Sequence, residues 1–183
     1  MVTEMNLHQL QFTYQEEGDR VLLRVSFQEQ DGSLQEIRVW LTRRFVKNLW
    51  PGIVQALKTR VSLDHPLSAY ASAEIVAMEH QASVSAISEG GNFNVPFTNE
   101  VNAFPIGETP ILATSAHFTL NASEPVKINF VPVEGYGVEI AFPPTMLHGF
   151  CTLLQGVVKT TDWDIELSLP GLADSDAPSK MLN

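Results

Sequence analysis

Ile37-Arg38-Val39-Trp40-Leu41-Thr42-Arg43-Arg44-Phe45-Val46-Lys47-Asn48-Leu49-Trp50 changes its hydrophobic period in mid-run. Up to Leu41, apolar and other residues alternate, as in a strand with one buried face. After Thr42, a residue suited to cap a helix, the apolar positions Phe45, Val46, Leu49, Trp50, Ile53, Ala56 and Leu57 recur at helical spacing. Pro51 lies inside that helix and is expected to kink it or to start a second segment, because proline lacks a donor and crowds the preceding turn.

Two more strands precede this junction. Leu10, Phe12 and Tyr14 alternate with Gln11 and Thr13, and Val21, Leu23, Val25 and Phe27 alternate with Arg24 and Ser26. Glu16-Glu17-Gly18-Asp19 and Gln30-Asp31-Gly32-Ser33 are turn sequences, the second holding the Asp-Gly pair favoured in tight hairpins. Such short connections make the neighbouring strands antiparallel.

The same order recurs later. Phe118-Thr119 lies 106 positions after Phe12-Thr13, and the two stretches align without a gap through Val133 and Phe27. Val138-Glu139-Ile140-Ala141-Phe142 lies 101 positions after Ile37-Arg38-Val39-Trp40-Leu41; the shorter turn Glu134-Gly135-Tyr136-Gly137 absorbs the difference. On that second offset the stripe of the first helix falls on Met146, Leu147, Phe150, Cys151, Leu154, Val157 and Val158, all apolar. The expected fold is α+β: a duplicated β-β-β-α unit, with antiparallel sheets in a pseudo-twofold arrangement and a helical linker between the copies. The expected boundaries are 1–61 for the first repeat, 62–109 for a helix and long loop, 110–172 for the second repeat and 173–183 for a disordered tail, all within one compact domain. A unit of about 55 residues covers too little of its own surface to be stable alone, so the copies are expected to pack together. In topology alone the chain resembles the whirly and PUR-type nucleic-acid-binding domains, with no residue motif in common.

The linker carries Ala71, Ile75, Met78 and Ala82 at helical spacing, which predicts a helix from about Ser68 to Ile87 ended by Ser88-Glu89-Gly90-Gly91. From Gly90 to Pro110 the chain is rich in Asn, Gly, Pro and Phe and reads as a long loop, in which Phe93, Val95 and Phe97 could pair briefly with a strand.

The net charge is -10. It is uneven: eight basic residues stand against seven acidic ones through Arg60, three against fourteen beyond it. An acidic chain is repelled by nucleic-acid phosphates and anionic lipid. Single-stranded nucleic acid bound through sheet aromatics such as Tyr14 and Trp40 is therefore the weakest functional reading. No apolar run approaches bilayer length and the first residues do not read as a signal peptide, so no membrane association is expected. The single cysteine, Cys151, points to the cytoplasm.

No catalytic, cofactor or metal motif stands out. His8, His65, His80, His117 and His148 lie at no zinc-like spacing, and Glu79-His80 is not a metalloprotease motif. Cys151 falls in the apolar stripe, where a thiol acts as a small hydrophobe. Asp162, Asp164 and Glu166 around Trp163 read as a solvated strand edge. The residues singled out are Arg43, Arg44 and Lys47, three cations in the first turns of a helix whose dipole prefers negative charge there; a bound anion or an acidic partner would relieve that conflict. The expected function is a non-enzymatic binding or assembly module forming homo-oligomers, by head-to-tail contact of unlike charges or by sheet edges, with protein partners possible and no cofactor. The alternative is an anion- or small-ligand-dependent enzyme or binder with a site between the repeats, near Arg43, Arg44 and the Phe93–Phe104 loop.

Overall fold

The computed structural model describes residues 6–90 and 95–172. Phe93 and the tail from residue 173 lie outside the described residues. The chain forms an α+β fold with two sheets and three α-helices. β1 (Asn6–Gln15), β2 (Arg20–Gln28) and β3 (Leu34–Thr42) run antiparallel in sequential order, and α1 (Arg43–Asp64) follows directly. A 3₁₀ turn at Pro66–Ala71 leads into α2 (Ser72–Glu89). The short β4 (Ile111–Leu112) pairs in parallel with β3, through Val39 with Ile111 and Trp40 with Leu112, and completes a four-stranded first sheet in the order β1-β2-β3-β4. β5 (Ser115–Thr119), β6 (Val126–Val131) and β7 (Val138–Phe142) form a separate three-stranded antiparallel sheet, followed by α3 (Pro144–Val158). The parallel β3–β4 pair departs from the wholly antiparallel sheets expected. A loop of more than twenty residues between α2 and β4 is long enough to reverse direction, which a tight turn is not.

Alternation places Val21, Leu23, Val25 and Phe27 of β2 and Ile37, Val39 and Leu41 of β3 on a buried inner face. The Thr42 hydroxyl accepts from the Phe45 N–H at 3.2 Å, and all seven apolar stripe positions of α1 are buried. α1 runs unbroken through Pro51, so no second segment starts there. The proline is exposed, so its ring meets solvent, while the buried residues on either side, Leu49, Trp50 and Ile53, hold the helix against the core.

α1 packs against the second sheet and α3 against the first. Phe45 of α1 lies 6.2 Å, centroid to centroid, from Phe130 of β6, and the Phe118 ring of β5 sits over Gly52, where a Cβ would come within 2.6 Å of it. In return Phe150 of α3 meets Phe12 of β1 edge-on at 5.0 Å. One hydrophobic core results, holding residues of both sheets and all three α-helices.

α2 differs from expectation in phase. Its buried residues are Val76, Ala77, His80 and Ile87, while Met78 is 69% exposed and Ala82 is exposed. Polar pairs turn this helix: Glu79 meets Arg60 of α1, and His80 meets His148 of α3. After α3 the chain forms no strand, and Asp164 has a φ of 51°, so Asp162, Asp164 and Glu166 do not mark a strand edge. They point outward while Trp163 and Leu169 enter the core. Side chains bind this segment in place of a partner strand. Trp50 Nε1 donates to the Ser168 carbonyl at 2.8 Å, Gln155 Nε2 to the Leu167 carbonyl at 2.6 Å, and Trp163 Nε1 to Asp19 Oδ1.

Candidate functional site

β1 is an edge strand: among the described residues it pairs with β2 alone. None of its residues is fully buried, and its ladder slips at His8, where a bulge separates Leu7 from Gln9. A groove of about 570 Å³ runs beside this edge. One wall is the five consecutive residues His8 to Phe12; the opposite side comprises Ile87 at the end of α2, Met146 and Leu153 of α3, and the loop residues Val95–Thr98. The side-chain amide of Gln9 fixes that loop, donating to the Pro96 carbonyl at 3.2 Å and accepting from the Thr98 N–H at 3.0 Å.

Beneath the same loop, the outer face of the first sheet buries an ionic cluster. Glu36 has no exposed side-chain surface. It accepts from Arg24 Nε at 2.8 Å, Arg24 Nη2 at 2.9 Å and Arg38 Nε at 2.5 Å. Burial by itself would push its carboxyl up, but the hydrogen bonds and charges of the two guanidiniums outweigh burial and hold it below its ordinary value. Phe97 covers the Arg24 guanidinium at 4.2 Å and Phe104 that of Arg38 at 4.6 Å. Arg24 also donates to Gln11 and to Asn99, and the backbone of Ala103 bridges to Gln35. Neutralised on one side and stacked by rings on the other, the cluster anchors the loop that borders the groove.

A second polar cluster lies between the helices. His80 Nδ1 and His148 Nδ1 are 3.2 Å apart, so one donates and the other accepts. His148 Nε2 faces Glu79 Oε2 at 3.7 Å. A carboxylate favours a proton on that nitrogen, which leaves His148 Nδ1 as the acceptor and His80 Nδ1–H as the donor. Arg60 holds Glu79 at 2.5 Å and Asp64 at 3.4 Å, and Asp64 accepts from the Ser123 N–H at 2.7 Å. Burial, then the charges of His80 and Arg60, pushes His148 down to about 4; burial lowers His80 as well. The chain of contacts joins all three helices and the β5–β6 connection.

Arg43, Arg44 and Lys47 are exposed at the start of α1, with no carboxylate within 4.0 Å among the described residues, and they line neither this groove nor a second hollow of about 810 Å³. That hollow lies between β4 and the β6–β7 turn, against Ile106, Leu112, Val133 and Tyr136. Tyr14 and Trp40 stand on opposite faces of the first sheet: Tyr14 packs against Trp163 and Trp40 lies under the Arg20 guanidinium, so the two cannot form one stacking platform. Burial pushes the Cys151 thiol up to about 12. Among the described residues no group of three or more His, Cys, Asp or Glu side chains could hold a metal ion, and no helix is long and apolar enough to cross a membrane.

Sequence reasoning missed the groove, the Glu36 cluster and the histidine pair. Arg24, Ser26 and Arg38 read as the outer face of a two-sided sheet and Glu36 as the end of the turn before it, and nothing local signals that a distant loop closes over them. The pair joins residues 68 positions apart. The signal for Glu36 was its place beside the Arg24–Arg38 cross-strand pair, where two like charges need a carboxylate between them. No protein-family model, curated protein or solved structure matches the chain.

Proposed function

We propose that the chain is a non-enzymatic binding module whose ligand lies in the groove along β1. The observation that carries this reading is a strand edge, unpaired among the described residues, facing an apolar helix wall, with the bordering loop held by Gln9 and the Glu36 cluster. Open polar backbone beside apolar side chains is the composition of a ligand site. Solvent mapping tests it. On titration with dilute 2-propanol, amide shifts are expected to concentrate at Gln9–Phe12 and Leu153 and to fade in a Leu153→Arg variant. Shifts confined to other surfaces would overturn the reading.

Self-assembly is a second reading, favoured by the charges at one end of the first sheet. Arg20 pairs with Thr42, so the β1–β2 turn bearing Glu16, Glu17 and Asp19 lies beside the start of α1 with its three cations. Asp162 is there too, close enough to add its charge to that of Asp19 in raising Tyr14. Adjacent patches of opposite sign suit a twofold contact, in which each patch meets the other on the partner copy, better than the head-to-tail contact expected from the two halves. Sedimentation is expected to show a dimer at about 0.1 M salt and a monomer at about 1 M, where screening acts within about 3 Å. A micromolar monomer under both conditions ends this reading.

We also infer that the two halves arose by duplication and keep an approximate twofold relation. β6 begins 106 positions after β2 and α3 begins 101 after α1, the offsets of the sequence alignment, and the helix-to-sheet packing is reciprocal. The binding features are not duplicated: the positions matching Arg43, Arg44 and Lys47 are Pro144, Thr145 and His148. A cytoplasmic setting belongs to the same proposal, supported by the lone buried cysteine.

A further inference from the structure

We propose that the groove takes an extended, neutral or basic peptide, which joins the first sheet as a fifth strand on β1. The inference rests on the groove being the ligand site. Five consecutive residues, His8 to Phe12, line the cavity. Side chains alternate across a strand, so an unbroken run along one wall means that the cavity follows the backbone edge rather than either face. That edge is about 16 Å long at ~3.3 Å per residue. Its outward N–H and C=O groups are obligatory hydrogen-bonding groups, and an extended backbone is the ligand whose own groups repeat in step with them.

The side chains flanking the edge set the pattern of the peptide. On the core side lie Leu10, Phe12, Ile87, Met146 and Leu153; on the outer side lie Gln9 and Gln11 with the loop Val95–Thr98, which adds apolar residues to polar ones. A strand between them presents apolar residues inward and amphipathic ones such as threonine outward. Proteins usually shield edge strands with lysine, proline, inward charges or bulges. The stretch Asn6–Gln15 has no lysine, arginine, acidic residue or proline. Its one bulge, at His8, stands at the end of the groove, where it stops pairing from extending toward the N-terminus. Among the described residues, the pairing edge is thus left competent over the length of the cavity. The net charge of -10 adds a long-range preference for cationic flanks over acidic ones.

The test uses an acetylated, amidated heptapeptide of lysine-flanked alternating valine and threonine, with two relatives N-methylated either on every valine or on every threonine. Alternate N–H groups of a strand point to opposite edges, so one set faces β1 and the other faces solvent. The parent and one methylated relative are expected to bind and to slow hydrogen exchange at alternate β1 amides between His8 and Phe12. The other relative should bind at least tenfold more weakly, and an aspartate-flanked parent should also weaken. Equal binding of both relatives, no protection in β1, no binding at millimolar peptide, or edge-to-edge pairing of two copies that excludes the peptide would each overturn the proposal. If 2-propanol marks the groove and the peptide fails, the strand inference falls alone. If 2-propanol misses the groove, the site itself is wrong.

Discussion

Replacing Glu36 with glutamine is expected to destabilise the fold by about 3 kcal/mol, the lower end of the range for breaking a buried ion pair. The lower end applies because Arg24 and Arg38 keep 14% and 27% of their side-chain surface in solvent, which softens the cost of leaving them unpaired. The carboxylate accepts from three guanidinium nitrogens at once; a neutral amide offers one acceptor oxygen and in either orientation turns its N–H₂ toward an N–H of Arg24. Urea denaturation should show the midpoint falling with the slope unchanged. A combined Arg24→Met/Glu36→Leu/Arg38→Met variant should recover most of the loss, because removing every charge also removes the desolvation penalty. A loss below about 1 kcal/mol in Glu36→Gln would show that solvent already screens the cluster. The loop over the cluster should respond too, with faster amide exchange at Phe97–Ala103, since its rings rest on the two arginines.

Acid should weaken the protein well before its carboxylates titrate. Unfolded, the His148 imidazole takes a proton near 6.5; folded, burial first, then the charges of His80 and Arg60, push it down to about 4. Between those values the unfolded chain binds a proton that the folded chain refuses. The contribution is therefore complete above about pH 6.5 and is lost as pH falls toward about 4, by about 3 kcal/mol for this one residue. His80 of α2 acts in the same direction. The other groups facing the pair are Glu79 from α2 and Arg60, with Asp64 behind it, from α1. Glu36 adds a separate, more acidic window: its folded value is held below its ordinary 4.5, so its contribution is complete above that pH and is lost only below it. Denaturation at intervals of pH should show a slope between 6.5 and 4.5 in the wild type and a smaller one in His148→Leu. Equal slopes would mean that the imidazole is not held neutral.

Much of the local structure was legible in the residues themselves. Val21 to Phe27 and Ile37 to Leu41 alternate because a strand has two faces, and Phe45 to Leu57 recur at helical spacing because a helix buries one stripe. Thr42 marks the boundary through a hydrogen bond three residues long. These signals survive because each is created by neighbours in the chain. α2 was legible as a helix but not in its facing: its apolar residues are spread around the helix rather than gathered in one stripe, so the Arg60–Glu79 and His80–His148 contacts choose the buried side.

The amino-acid sequence by itself determined the two three-strand runs, their hairpins and the helix positions but not β4, since hydrophobic period, turn chemistry and capping act over a few residues while β4 is set by its pairing with β3. Only the tertiary structure decided that α1 reaches the second sheet and α3 the first, that a distant loop closes over Glu36, and that among the described residues the edge of β1 is unpaired beside α3. Those outcomes depend on shape and charge matching between surfaces contributed by segments far apart in the chain, and no local pattern records which surfaces will meet.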